Sequence, residues 1–191
     1  MSSLTVVLVG LGWLIVATAV GAAGLVRRLP PAPLVLFTLT AVVLAPGWLL
    51  AGFRAWLATI DVRWLVALHL TRFVGFYFLY LYGRGELPYA FAVPGGWGDI
   101  VVAALAAALL MWGAPRDGRR RVAYIVWNVL GLADILFVVV TAARLGTADP
   151  GSMVALLRLP LSLLPTFLVP LIIASHVVLF VRVGPRWPAT R

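Results

Sequence analysis

Six ionisable side chains interrupt long apolar stretches of this chain: His69, Arg72, Asp99, Asp134, Arg158 and His176, with the amide of Asn128 among them. Two carboxylates and two guanidiniums can neutralise one another, hold a charged solute or pass a proton, and two imidazoles can serve as acid, base or ligand. Inside a bilayer each charge costs about 2.5 to 3.5 kcal/mol at the helix centre on insertion scales, so each needs a partner or a wet cavity. What these groups can do therefore depends on which helices carry them and at what depth.

The surroundings of those residues are membrane-like. Of 191 residues 63% are hydrophobic and 11% charged, whereas about a quarter of the residues of an ordinary soluble domain are charged. That balance implies an all-α integral membrane protein with a single helical domain. All 15 basic residues are Arg and they are scattered along the chain, which argues for topology signals and against a nucleic-acid-binding face. Cysteine is absent, which removes disulfides, thiolate metal sites and thiol nucleophiles.

Apolar runs of about 20 residues suit a ~30 Å hydrocarbon core. They predict six spans, at about 4–26, 33–53, 64–83, 97–113, 121–143 and 152–182. The first run has no basic residue before it and is expected to remain as an uncleaved helix. Pro30, Pro31 and Pro33 punctuate the first join, and Pro46 with Gly47 predicts a kink in the second span. The stretch GRGELPYAFAVPGG reads as a long interfacial join in which Gly95 and Gly96 make a turn. The sixth span carries Pro160, Pro165 and Pro170, so it is either kinked or broken into a short half-helix and a full one. With the N-terminus cytoplasmic, nine arginines (among them Arg63, Arg121, Arg186 and Arg191) fall on that side and four (Arg27, Arg28, Arg84, Arg144) on the other. Both termini are therefore expected inside.

Counting ~1.5 Å per residue from the nearer end of each span sorts the polar groups into layers. Asp99, Asp134 and Arg158 fall roughly 8 to 14 Å below one surface. His69, His176 and Asn128 lie nearer the other, with Arg72 between. The layering predicts that the last four spans pack together so that the two arginines offset the two aspartates.

Each residue has a plainer reading beside the chemical one. Asp99 is either a first-turn carboxylate held by free helix amides or a ligand or proton site. Asp134 is either ion-paired with Arg158 or Arg72 or a protonatable relay. His69 and His176 are hydrogen-bonded core groups, or axial ligands of a haem, or part of a metal site with Asn128 or a carboxylate; no cofactor is otherwise implied. His69, Arg72, Phe76 and Tyr80 recur at helical steps and predict one polar and aromatic stripe. Trp127, Gly131 and Asp134 share a face on the fifth span, where Gly131 lets a neighbouring backbone approach. The aromatic run FYFLYLY, residues 76–82, lines a pocket or forms an interfacial belt. GWGDI at 96–100 and GLADI at 131–135 repeat a G-x-x-D-I spelling, the sort of match an inverted repeat would leave. No H-E-x-x-H, nucleophile elbow or phosphate loop occurs.

GRGELPYAFAVPGGWGDI and LPTFLVPLIIASH, with the pair Arg72 and Gly75, resemble segments of a group of small, uncharacterised multi-pass bacterial proteins over about residues 72–176. The resemblance implies a multi-pass protein of the bacterial inner membrane and brings no catalytic residues with it.

Three functions fit these residues. Arg72, Asp99, Asp134 and Arg158, with Asn128, line a polar cavity that binds or transports a small molecule or ion. Alternatively the cavity opens sideways to lipid, and an Asp or His acts as acid or base on a lipid-like substrate. In the third, the protein is a structural or accessory subunit, with closed ion pairs and a small-residue face, VVAALAAALL at 101–110, packed on a second copy or another membrane protein.

Overall fold

The computed structural model describes residues 2–29 and 32–184, and every regular element within them is helical. Pro30 and Pro31 of the first join, and Arg186 and Arg191 of the orientation argument, lie outside the described residues. In chain order the long elements are α1 (Ser3–Ala22), α2 (Ala32–Leu49), α3 (Ala51–Thr59), α4 (Val62–Gly83), α5 (Tyr89–Trp112), α6 (Gly118–Ala148) and α7 (Leu164–Val183). Among the described residues α1, α4, α5, α6 and α7 are each long and apolar enough to cross a membrane. Helices α2 and α3 pass the same test only as a pair, bent by 98°. The break falls at Leu50, whose backbone is extended, and not at Pro46, which sits inside α2.

The chain divides into two compact units, Met1–Ile60 with Ala143–Ala174, and Asp61–Ala142 with Ser175–Arg191. In the first unit, Trp13 of α1 packs edge-on against Phe167 at a centroid distance of 4.9 Å and donates its indole N–H to the Thr166 carbonyl. The second unit has an apolar core of Val66, Val102, Ala106, Leu109, Tyr124, Trp127, Leu179 and Val183, drawn from α4, α5, α6 and α7.

Three boundaries differ from the expected spans in ways that matter for the polar residues. Helix α5 begins at Tyr89, with Pro88 at its N-cap in an extended conformation, so the interfacial join shrinks to a few residues and Gly95 and Gly96 lie inside the helix. A proline ahead of the first turn costs no hydrogen bond, because those amides have no intrahelical partner anyway. The sixth segment is broken rather than kinked: a 3-10 segment, Pro150–Leu157, is followed by a turn over 158–162, and α7 then opens with a π-helical turn, Leu164–Leu168.

The third difference is inside α4. Its middle, Leu68–Val74, is a 3-10 helix. In that geometry side chains three apart eclipse one another, and the buried positions of α4 run Val66, His69, Arg72, Gly75, Phe78, Leu81, in steps of three. The expected stripe of His69, Arg72, Phe76 and Tyr80 therefore splits. His69 and Arg72 are buried, while Phe76 and Tyr80 are both 56% exposed. Tyr77, Tyr82 and Tyr89 are likewise exposed, with a stacked contact between Tyr77 and Tyr80 and an edge contact between Tyr82 and Tyr89.

Candidate functional site

Arg72 is the eleventh of the 22 residues of α4, Asp99 the eleventh of the 24 of α5, and Asp134 the seventeenth of the 31 of α6. All three therefore stand near the midpoints of their helices, and the expected two-layer arrangement gives way to a charged centre at mid-height. Asp99 is no capping residue, since ten residues of helix precede it.

The side chain of Arg72 is 1% exposed and spends its donors on three acceptors. Nε donates to Asp99 Oδ1 at 2.6 Å, Nη1 to the Gly131 carbonyl at 2.9 Å, and Nη2 to Asp134 Oδ2. Only a guanidinium has a rigid fork able to reach three such groups at once. One positive charge thus serves two carboxylates, leaving a formal charge of −1 on the triad if both are ionised. The two carboxylates are not equivalent: the side chain of Asp99 is 4% exposed and that of Asp134 is 18% exposed.

Glycines make room for these contacts. A Cβ on Gly75 would overlap the Gly96 carbonyl oxygen, and one on Gly96 would stand 2.9 Å from the Gly75 carbonyl oxygen. The backbones of α4 and α5 meet there. A Cβ on Gly98 would overlap the carboxylate of Asp134. On Gly131, Cβ would lie 2.7 Å from His176 Cε1, so this glycine admits an imidazole and not the backbone expected for it. Both G-x-x-D-I copies converge on Arg72: each supplies its aspartate, Gly96 seats α5 against α4, and Gly131 offers its carbonyl.

Below the triad on the same face of α4, His69 is completely buried and its Nε2 lies 2.9 Å from Ser175 Oγ. Its ring lies 4.3 Å from that of His176, the two planes inclined by 56°, and meets the edge of Trp127 at 4.8 Å. Trp127 is fixed by its own bond to the Val102 carbonyl, at 3.0 Å. Asn128 uses both ends of its amide on His176: Nδ2 donates to the His176 carbonyl at 3.0 Å, and Oδ1 lies 2.7 Å from Nδ1. Because a carbonyl only accepts, the amide orientation is set and Oδ1 must accept from Nδ1–H. The neutral imidazole of His176 then carries its lone pair on Nε2, which is buried with no hydrogen-bond partner among the described residues, as is His69 Nδ1.

Arg72, Asp99, Asp134, Asn128, His69 and His176 are thus brought together, and Arg158 is not among them. Arg158 caps the 3-10 segment in the first unit, where its side chain is exposed. Pro160 and the turn around it keep this residue out of a spanning helix, so depth counting along a continuous sixth span misplaces it. The haem reading also fails on geometry: a haem must lie between its axial imidazoles, and ring centroids 4.3 Å apart leave no gap for it. Among the described residues no group of three or more His, Cys, Asp or Glu side chains is placed to hold a metal ion. Ser175 was missed by residue-type reasoning, though it directly precedes His176 in the ASH of α7.

Residues 29–183 match the family model described as Domain of unknown function (DUF8737). No curated protein and no solved structure matches the chain significantly.

Proposed function

This chain belongs to the DUF8737 family, a domain of unknown function, and for it we propose a multi-pass protein of the bacterial inner membrane that carries a proton or small cation at the Asp99–Arg72–Asp134 triad. The observation that supports this reading is the sharing of one buried guanidinium by two carboxylates. An uncompensated negative charge at mid-membrane costs several kcal/mol. A proton or small cation arriving at the triad removes that cost, and Asp134, the more exposed carboxylate, is where it arrives. The Gly131 carbonyl and the adjoining rings of His176 and His69 continue the polar path away from the triad toward Ser175.

The test is flux in proteoliposomes. Purified protein, reconstituted with a trapped pH indicator and driven by an imposed potential, is expected to pass protons or a monovalent cation faster than protein-free vesicles. Asp134→Asn is expected to abolish the excess while the protein stays folded. Flux no greater than that of empty vesicles for protons, Na⁺ and K⁺ sinks the proposal.

A second reading, the accessory subunit, is favoured by the direct Arg–Asp contacts together with the residues α5 turns outward. Val101, Ala104, Leu105 and Ala108 are exposed, while Val102, Ala103, Ala106 and Leu109 are buried, so four of the ten residues of the small-residue stretch are available to a second copy or a membrane partner. It predicts silent vesicles and a stable oligomer or complex in mild detergent.

A further inference from the structure

The first unit holds a cavity of about 360 Å³ bounded by Gly21, Ala22 and Gly24 at the end of α1, Arg27 in the 3-10 turn Leu25–Arg28, and Leu157 to Leu159. Two arginines line it and no acidic residue does. Glycines shape the approach here too. Gly24 takes a left-handed conformation, φ 67°, that turns the chain from α1 toward Arg27. A Cβ on Gly21 would fall 2.6 Å from Ser162 Oγ and 3.0 Å from Leu159 Cδ2, so its absence lets the turn carrying Arg158 seat against α1.

Several other arginines have an acidic neighbour in sequence. Arg63, Arg84 and Arg120 each pair with a carboxylate two or three residues away, on Asp61, Glu86 and Asp117. Arg27 and Arg158 have no side-chain hydrogen bond or ion pair with any described residue, and both are exposed. The forks of two unpaired guanidiniums suit the oxygens of a phosphate group. Their place at the end of a 20-residue apolar helix is the level of lipid headgroups. The leucines on either side of Arg158 offer an apolar wall to whatever carries the phosphate.

We infer that Arg27 and Arg158 form a binding site for a phosphate-bearing anion, such as the headgroup of an anionic phospholipid. This site is independent of the triad and of the flux proposed for it.

Native mass spectrometry of the full-length protein, offered phosphatidylglycerol and phosphatidylcholine, tests the site. Phosphatidylglycerol is expected to be retained in preference. Arg27→Gln and Arg158→Gln are each expected to weaken its retention about fivefold and the double variant about thirtyfold. Arg28→Gln, outside the cavity lining, is expected to leave it unchanged. Inorganic phosphate that displaces the lipid at millimolar concentration identifies free phosphate as a ligand of the same site, and failure to displace identifies the lipid headgroup. A measurement without substitutions stands beside these: bound phosphatidylglycerol is expected to protect Arg27 and Arg158, but not Arg28, from phenylglyoxal. Equal retention of the two lipids, or unprotected Arg27 and Arg158, overturns the inference.

Discussion

Gly75 on α4 and Gly96 on α5 face each other so closely that neither position has room for a Cβ. Three residues along from each glycine stand Arg72 and Asp99, joined at 2.6 Å. The contact of two bare backbones thus sets the length of the ion pair. Gly75→Ala is expected to destabilise the protein by about 1 to 3 kcal/mol, the usual cost of overpacking, and to weaken the pair. Gly10→Ala, where a Cβ meets nothing within 4 Å, is the control. Thermal unfolding in detergent reads both; equal effects would show that the glycine contact carries no strain-sensitive role.

Arg72→Leu leaves two carboxylates at a buried position without their cation. A loss of about 3 to 5 kcal/mol is expected, in line with other broken buried pairs. Arg72→Lys is not expected to rescue, since a single ammonium cannot reach Asp99, the Gly131 carbonyl and Asp134 with the same fork geometry. A lysine variant as stable as the parent would refute the tridentate reading.

The excess negative charge makes a further prediction about the two aspartates. Neutralising either one balances Arg72 against the other, so Asp99→Asn and Asp134→Asn are each expected to change stability by no more than about 1 kcal/mol. The double variant strands the guanidinium and is expected to exceed the sum of the singles by about 1 to 3 kcal/mol. Additive losses in this double-mutant cycle would mean that the triad has no shared charge.

Asn128 determines which nitrogen of His176 carries the proton. Nitrogen-15 spectra of the histidine-labelled protein at neutral pH are expected to show His176 as the Nδ1–H tautomer, and Asn128→Leu to remove that preference at a cost of about 1 to 3 kcal/mol. An Nε2–H tautomer in the parent protein would contradict the bonding described for this pair.

At the start of α4, Asp61 accepts from the side chain and the backbone N–H of Arg63, and these bonds hold its carboxyl below the usual carboxylate range. A depressed folded-state pKa contributes stability above the ordinary value of about 3.9, lost as pH falls through the folded value. Asp61→Ala is expected to cost about 1 kcal/mol at neutral pH, mostly as a lost N-cap because the ion pair is solvent-exposed, and to cost less at pH 2. Unfolding of parent and variant at the two pH values checks the difference.

The apolar runs were readable as helices because spanning length and hydropathy are properties of composition, and the grouping of Asp99 with Asp134 was readable from counting depth along the spans. The cation between them was narrowed only to Arg72 or Arg158. Arg72 reaches both carboxylates from a 3-10 segment, whereas the residue pattern was read with the α-helical period, which pairs it with Phe76 and Tyr80. Arg158 was assigned to the cluster because its turn was counted as helix. PYAFAVPGG looked like a join because proline and glycine usually punctuate. Here Gly96 serves packing against Gly75, a partner 21 residues away that no local pattern identifies. The histidine pair was placed at one depth, but its separation, and with it the exclusion of a haem between the rings, needed coordinates.

The 3-10 segment of α4 also fixes a length and an angle. At about 2.0 Å per residue against 1.5 Å, the seven residues Leu68–Val74 lengthen α4 by about 3.5 Å. That brings its 22 residues to about 36 Å, the same as the 24 residues of α5 beside it. Rewinding those seven residues to α geometry would shorten α4 by the same amount and rotate its two ends relative to each other by roughly 140°. His69 and Phe78 could not then both face the interior, so the triad and the paired imidazoles together act as a clamp on the winding of α4.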